Sequence, residues 1–234
     1  MSTLTHRVLK FLRELFVIFI GVLLALAGEN YVQSRNTKTL EKGYLNSLLS
    51  ELDESLFVAL DDQDRLHMLD SAAWTLVNLA QGVHNTPLDS SRYQNPCELL
   101  SYINSIIEPD IYKSVYEDLK VTGNFQTISN QSLRQRIIKH YERALYEEKW
   151  CKEIRDNLAP PYKSWAIDIL TAGEYFGEES CDRRRVMKSL NNQDVLNNLK
   201  KVRVVAVENG LYLQGRIEST RSLMKLINDE LKGL

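Results

Sequence analysis

Cysteine is scarce in this sequence, which excludes the metal and redox motifs that depend on it. Among 234 residues only Cys97, Cys151 and Cys181 occur, and no two of them form a C-x-x-C pair. An odd count also rules out a complete disulfide framework. One bridge between Cys97 and either of the other two remains open, but we expect three buried thiols that act as small hydrophobic side chains.

Motifs of enzymes and nucleotide-binding proteins are absent as well. The ten glycines are scattered, so no loop is rich enough in glycine to hold a phosphate group, and no G-x-S-x-G marks a nucleophile. The nearest match to a di-iron motif runs from Asp64 to His67 and has no second copy. The net charge of −2 argues against a nucleic-acid partner. We therefore expect no enzymatic activity, no cofactor and no metal.

The strongest positive feature is an apolar run over residues 15–28 that contains no charged side chain. As a helix this run would cover ~21 Å of a hydrocarbon layer roughly 30 Å thick. Apolar flanking residues extend it, and Lys10 and Arg13 can reach the headgroups. We therefore predict a membrane anchor over residues 11–32. The residues assigned to this anchor are Leu15, Phe16, Phe19, Gly21, Leu23, Leu24 and Leu26.

Two other interpretations of the apolar run stay open. Ala25-Leu26-Ala27 would suit signal-peptide cleavage, and a buried core helix has a similar composition. Glu14 interrupts the basic start and no helix breaker follows Ala27, so we favour an uncleaved anchor. Lys and Arg are balanced on the two sides of the run, which leaves the orientation open. We expect the N-terminus in the cytoplasm and the bulk of the chain outside it.

The rest of the chain is predicted to be helical, because apolar residues recur every three to four positions. The expected helices cover 39–80, 98–107, 110–121, 129–158 (beginning after Ser129 or Asn130), 162–171 and 194–232, with a loop over 82–96 and an irregular segment over 173–182. The first helix is expected to continue from the anchor with little or no break. The fold class is all-α: a transmembrane helix, then an antiparallel bundle with long first and last helices. Its parts are a basic tail (1–10), the anchor (11–32) and a helical extramembrane domain (33–234).

Two local clusters allow both a functional and a structural interpretation. Tyr141, Trp150, Tyr162 and Trp165 lie on either side of a Pro-Pro corner at residues 160–161. They could line a ligand pocket between helices, but an aromatic-rich core is favoured. The arginines at 183–185 could contact a phosphate or an anionic lipid, but a solvated turn before a short helix is favoured.

Two segments resemble an uncharacterised family of bacterial proteins. The first joins Phe11-Leu12-Arg13-Glu14-Leu15 to Gly21-Val22-Leu23-Leu24-Ala25-Leu26 and Glu29-Asn30, and the second joins Val115-Tyr116-Glu117-Asp118-Leu119-Lys120 to Gly123-Asn124 and residues 128–133. The resemblance covers about a third of the chain. It implies a single-span protein of the bacterial inner membrane with a helical extramembrane domain, and it carries no activity.

These observations predict a membrane-anchored interaction or scaffold protein without enzymatic activity. Its partners would be the lipid bilayer and either further copies of itself or another protein, because long amphipathic helices can self-associate. The alternative is an extracytoplasmic helical domain that senses a ligand and acts with a partner chain.

Overall fold

In the computed structural model of this chain, the described residues are 2–82, 95–103, 110–158, 168–176 and 178–234. These ranges contain helices and connecting turns and no strand, so the all-α prediction is confirmed. The helices are α1 (Ser2–Ala80), α2 (Pro96–Ile103), α3 (Ser114–Val121), α4 (Gln131–Leu158), α5 (Ala172–Phe176), α6 (Arg183–Leu190) and α7 (Gln193–Gly233), with a 3-10 turn at Asn124–Thr127.

Helix α1 contains both the predicted anchor and the first helix of the body in one continuous element of 79 residues. No proline occurs before residue 87, so nothing in the sequence removes a backbone donor from this helix. Its end is set by Gly82, which adopts the left-handed conformation at φ 72° beyond the last helical turn. The prediction that the anchor continues into the body without a break is therefore confirmed.

Helix α7 is the second long helix, and it packs along the part of α1 that follows the anchor. Asn192 caps it by accepting a hydrogen bond from the backbone N–H of Asp194. Arg203 joins the two helices, because its Nε donates to Asp70 at 2.7 Å and its guanidinium lies over the Trp74 ring. Residues 204–207, three valines and Ala206, are helical within α7.

Two apolar clusters form the core. The distal core joins residues 59–77 of α1 to residues 195–217 of α7, with side chains from α2 and α6. The proximal core lies nearer the anchor and joins Leu45, Leu48 and Leu52 of α1 to Leu223 and Ile227 of α7, with side chains from α3 and α4. Along α1 the residues of the proximal core come before those of the distal core, whereas along α7 they come after them.

A disulfide corrects the expectation of three free thiols. Cys97 of α2 is bonded to Cys181, which precedes α6, and their Cα atoms are 6.2 Å apart. Leu99 and Leu100 of α2 and Val186 of α6 are buried in the distal core beside this bridge, which brings the two short helices together. Cys151 is free and buried, as predicted.

Helix α3 begins at Ser114, four residues later than the spacing predicts. The reason lies on another helix: the Glu51 carboxylate accepts hydrogen bonds from the hydroxyl of Ser114 and from the backbone N–H groups of Val115 and Tyr116. Glu51 thereby satisfies the free amides at the start of α3 and favours a helix that begins there. Beyond the C-terminus of α3, Gly123 has φ 72°, a left-handed conformation that glycine adopts readily in a turn.

The remaining boundaries differ less. Pro96 starts α2 two residues earlier than expected, a position that suits proline because its missing N–H would have no partner in the first turn. Asn130 caps α4 through the N–H of Leu133. The short helix α5 replaces part of the irregular segment expected over 173–182. The helix expected over 162–171 falls largely outside the described residues, as does most of the loop expected over 82–96.

Candidate functional site

The described side chains of the predicted anchor, at residues 16–29, 31 and 32, are exposed. A stretch of 18 residues in α1, near the N-terminus, has a mean hydropathy of 1.6, and none of it is buried. Phe16, Phe19, Leu23, Leu24 and Leu26 all have exposed side chains, and Gly21 leaves open space beside them. Of Leu15 only the helical backbone is described. One helix is thus long and apolar enough to cross a membrane.

The aromatic cluster that could line a ligand pocket lies only partly within the described residues. Tyr141 is buried in the proximal core, where it stacks on Tyr116 with ring centroids 4.5 Å apart and donates to Glu51 at 2.7 Å. Burial and the Glu51 carboxylate raise the pKa of its hydroxyl far above the usual range. Trp150 lies nine residues further along α4 and is partly exposed. Tyr162 and Trp165 lie outside the described residues, so a pocket shared by all four stays a prediction.

The three arginines at 183–185 form the first turn of α6. Asp182 caps this helix by accepting from the N–H groups of Arg184 and Arg185. The Arg185 guanidinium also pairs with the carboxylate of Glu174. Hydrogen bonds from the backbone N–H groups of Asp182 and Thr171, and then the Arg185 charge, lower the pKa of Glu174 to about 2. The favoured interpretation placed these arginines in a solvated turn before a short helix; they instead lie inside that helix, where Arg183 and Arg184 are exposed and Arg185 is paired.

A buried ion pair links α4 to α7, although the mixed charges of α4 predict only solvated pairs. Glu147 is 3% exposed and Arg216 is 5% exposed, and the Arg216 Nε lies 3.5 Å from a Glu147 oxygen. The other guanidinium nitrogens of Arg216 donate to the backbone carbonyls of Asp110 and Ala144. Arg143, whose side chain is exposed, also pairs with Glu147 and donates to it at 2.8 Å. Such a pair is costly to break on one side only.

A cationic cleft of about 270 Å³ lies beside this ion pair, between α4 and α7. We call it the α4/α7 cleft; its lining residues are Arg136, Lys139, His140, Arg143, Ser219, Ser222, Leu223 and Leu226. His140 is 7% exposed, and its Nδ1 lies 2.9 Å from the Ser219 hydroxyl. Burial, and then the charges of Arg216 and Arg143, lower the pKa of His140 to about 4, so the imidazole is neutral at pH 7.

The α4/α7 cleft is the site that sequence reasoning missed. Its three cations occur at 136, 139 and 143, a spacing that places them on one helical face. The sequence contains that signal, but not the fact that the serines of α7 lie opposite. The exposed Asp64 and His67, considered above for a metal, lie on α1 away from this lining. Among the described residues no group of three or more potential metal ligands is found.

No protein-family model, curated protein or solved structure matches this chain. The resemblance to an uncharacterised bacterial family therefore stays a prediction.

Proposed function

We propose that this protein is a single-pass anchored interaction protein of the bacterial inner membrane, without enzymatic activity, whose helical body lies in the extracytoplasmic space. The observation that carries the proposal is the continuity of α1. A helix that runs from an exposed apolar segment into two apolar cores ties the body to the lipid surface without a flexible linker. Residues after the anchor would form an antiparallel bundle around α1 and α7.

The disulfide supports the extracytoplasmic orientation. Disulfides form and persist in oxidising compartments, whereas cytosolic thiols are kept reduced. Cys97 and Cys181 are 84 residues apart in sequence and joined in the structure. The balanced Lys and Arg residues around the predicted anchor leave the orientation open, and the bridge is the observation that favours the extracytoplasmic one.

Self-association is supported by apolar side chains that the body leaves exposed. Val204, Val207 and Leu211 are all exposed on α7, and their spacing of three and four places them on one helical face. Anchors in one membrane hold copies of a chain at a high effective concentration, which makes a second copy the partner that would meet this face.

The proposal is tested by the size of the detergent-solubilised full chain, measured by light scattering after size-exclusion chromatography. We expect an oligomer that Leu211→Glu converts to a monomer, because a charge on that face would have to lose its water. Val121→Glu is the control, since Val121 is strongly exposed on α3. A wild-type chain that is a monomer in detergent and forms no crosslinks in membranes would contradict self-association.

Orientation is tested separately by thiol labelling with a maleimide polymer after unfolding. An extracytoplasmic body predicts one labelled thiol per chain before reduction and three after it. Three labelled thiols without reduction, or a cytoplasmic signal from a reporter fused after Leu234, would place the body on the other side.

A second candidate is an extracytoplasmic ligand-sensing domain that acts with a partner chain. The α4/α7 cleft favours it, because concave sites between helices are common positions for small ligands.

A further inference from the structure

We propose that the α4/α7 cleft binds a soluble phosphate-type oxyanion through Arg136, Lys139 and Arg143. This binding site goes beyond the proposed interaction role and does not depend on it.

The first argument is uncompensated charge. Arg136 and Lys139 form no ion pair or hydrogen bond with any residue in the described ranges. Arg143 pairs with Glu147 through its Nε, which leaves its terminal guanidinium nitrogens as donors. Like charges three and four residues apart on a helix destabilise it unless an opposite charge is present. The cleft lining contains no carboxylate, so a bound anion would supply that charge.

The neighbouring carboxylates already have partners. An adjoining cleft of about 350 Å³ shares Arg136 and Leu226 with the first and is lined by Asp229 and Glu230. Asp229 pairs with Lys232 at 2.9 Å, and Glu230 accepts from the Asn130 side chain at 2.6 Å. Arg136 therefore has acidic residues nearby but forms no pair with them, and its guanidinium remains available to a ligand.

The second argument is the hydrogen-bonding chemistry opposite the cations. Ser219 and Ser222 bring two hydroxyl groups from α7. A hydrogen bond between the hydroxyl of Ser219 and the imidazole of His140 joins α7 to α4 within the cleft. Leu223 and Leu226 line the same cleft with apolar surface, which lowers the local dielectric and strengthens each charge interaction. Guanidinium groups and hydroxyls are the donors typical of phosphate recognition.

The position of the cleft favours a soluble anion over a lipid headgroup. Leu223 of the cleft belongs to the proximal core together with Leu48 of α1. If the membrane span ends near Val32, Leu48 is sixteen residues further along a continuous helix, or ~24 Å beyond the membrane edge. An upright α1 thus holds the cleft beyond the reach of headgroups. A soluble phosphate and a lipid headgroup present the same phosphate chemistry, so the experiment must distinguish these two ligands.

The test titrates inorganic phosphate into the full chain in a neutral detergent, with sodium chloride of equal ionic strength as the reference. Unfolding temperature is followed by circular dichroism, because a ligand that binds only the folded state raises it. We expect saturable stabilisation at millimolar phosphate. The variant Arg136→Gln/Lys139→Gln should weaken the apparent affinity at least tenfold. The control Lys149→Gln/Lys152→Gln removes the same charge from exposed positions of α4 outside the cleft, where Lys149 pairs with the exposed Glu153 at 3.8 Å, and it should bind phosphate like the wild type.

Three results would overturn the proposal. Phosphate could stabilise all variants equally, as expected from its general exclusion from protein surfaces. It could fail to stabilise the wild type beyond the chloride reference. Stabilisation could also appear only in bilayer discs that contain phosphatidylglycerol, and not with phosphate in discs of phosphatidylcholine, which would identify a lipid site. Lys139→Gln alone repeats the test with a single exposed substitution, so a folding defect of the double variant cannot obscure the answer.

Discussion

His140→Gln should remove most of the acid sensitivity of the body between pH 6.5 and pH 4. In the folded chain His140 is buried beside Arg143 and Arg216, and its pKa falls from 6.5 to about 4. In the unfolded chain the imidazole is exposed and takes up a proton below pH 6.5. Acidification therefore favours the unfolded chain: the contribution of a neutral His140 is complete above pH 6.5 and is lost as the pH falls to 4. That difference in pKa corresponds to about 3 kcal/mol of unfolding free energy.

The assay is urea unfolding of the full chain in a non-ionic detergent, followed by circular dichroism at pH steps from 7 to 4 in phosphate-free buffers. Asp62 has the opposite effect on stability at the acid end of this range, because burial raises its pKa and protonation then favours the folded chain. The informative quantity is therefore the difference between wild type and His140→Gln at each pH. His67→Gln is the matched control, because His67 is exposed on α1. The argument is wrong if the wild type and His140→Gln lose equal stability over this range.

Three further predictions concern buried contacts. Glu51→Gln should lower the free energy of unfolding in urea by about 1–3 kcal/mol, because its amide replaces an oxygen that accepts hydrogen bonds at the start of α3. The exposed Glu54→Gln is the control and should change that free energy by less than about 0.5 kcal/mol. Equal costs for the two variants would refute the capping role of Glu51. Cys97→Ser should lower stability by about 4 kcal/mol, since it opens a loop closed over 84 residues, and reductant should do the same to the wild type but not to the variant. Glu174→Gln should lower the unfolding temperature above pH 4.5. This deficit should shrink as the pH falls towards 2, because the pKa of Glu174 is held at about 2 in the folded chain. A deficit that does not depend on pH would contradict this reasoning.

Local sequence determined the long elements of this protein. The absence of proline before residue 87, and apolar residues every three to four positions, are enough to predict one helix from the anchor to Ala80 and another over most of 194–232. Gly123 and Asn130 likewise mark a turn and a cap through their own backbone and side-chain preferences. The apolar segment that is predicted to be the anchor follows from composition alone, and no described residue of the body packs over it.

Contacts between distant residues decided what the sequence could not. The start of α3 depends on Glu51, more than sixty residues earlier, and the partner of Cys97 depends on where α6 meets α2. The charges of α4 have the same helical spacing whether they face water or α7. Only packing buries Glu147 against Arg216 and leaves Arg136 and Lys139 beside the serines of α7. Periodicity specifies which face of a helix is apolar, but the neighbour that covers a face is chosen by the whole chain at once.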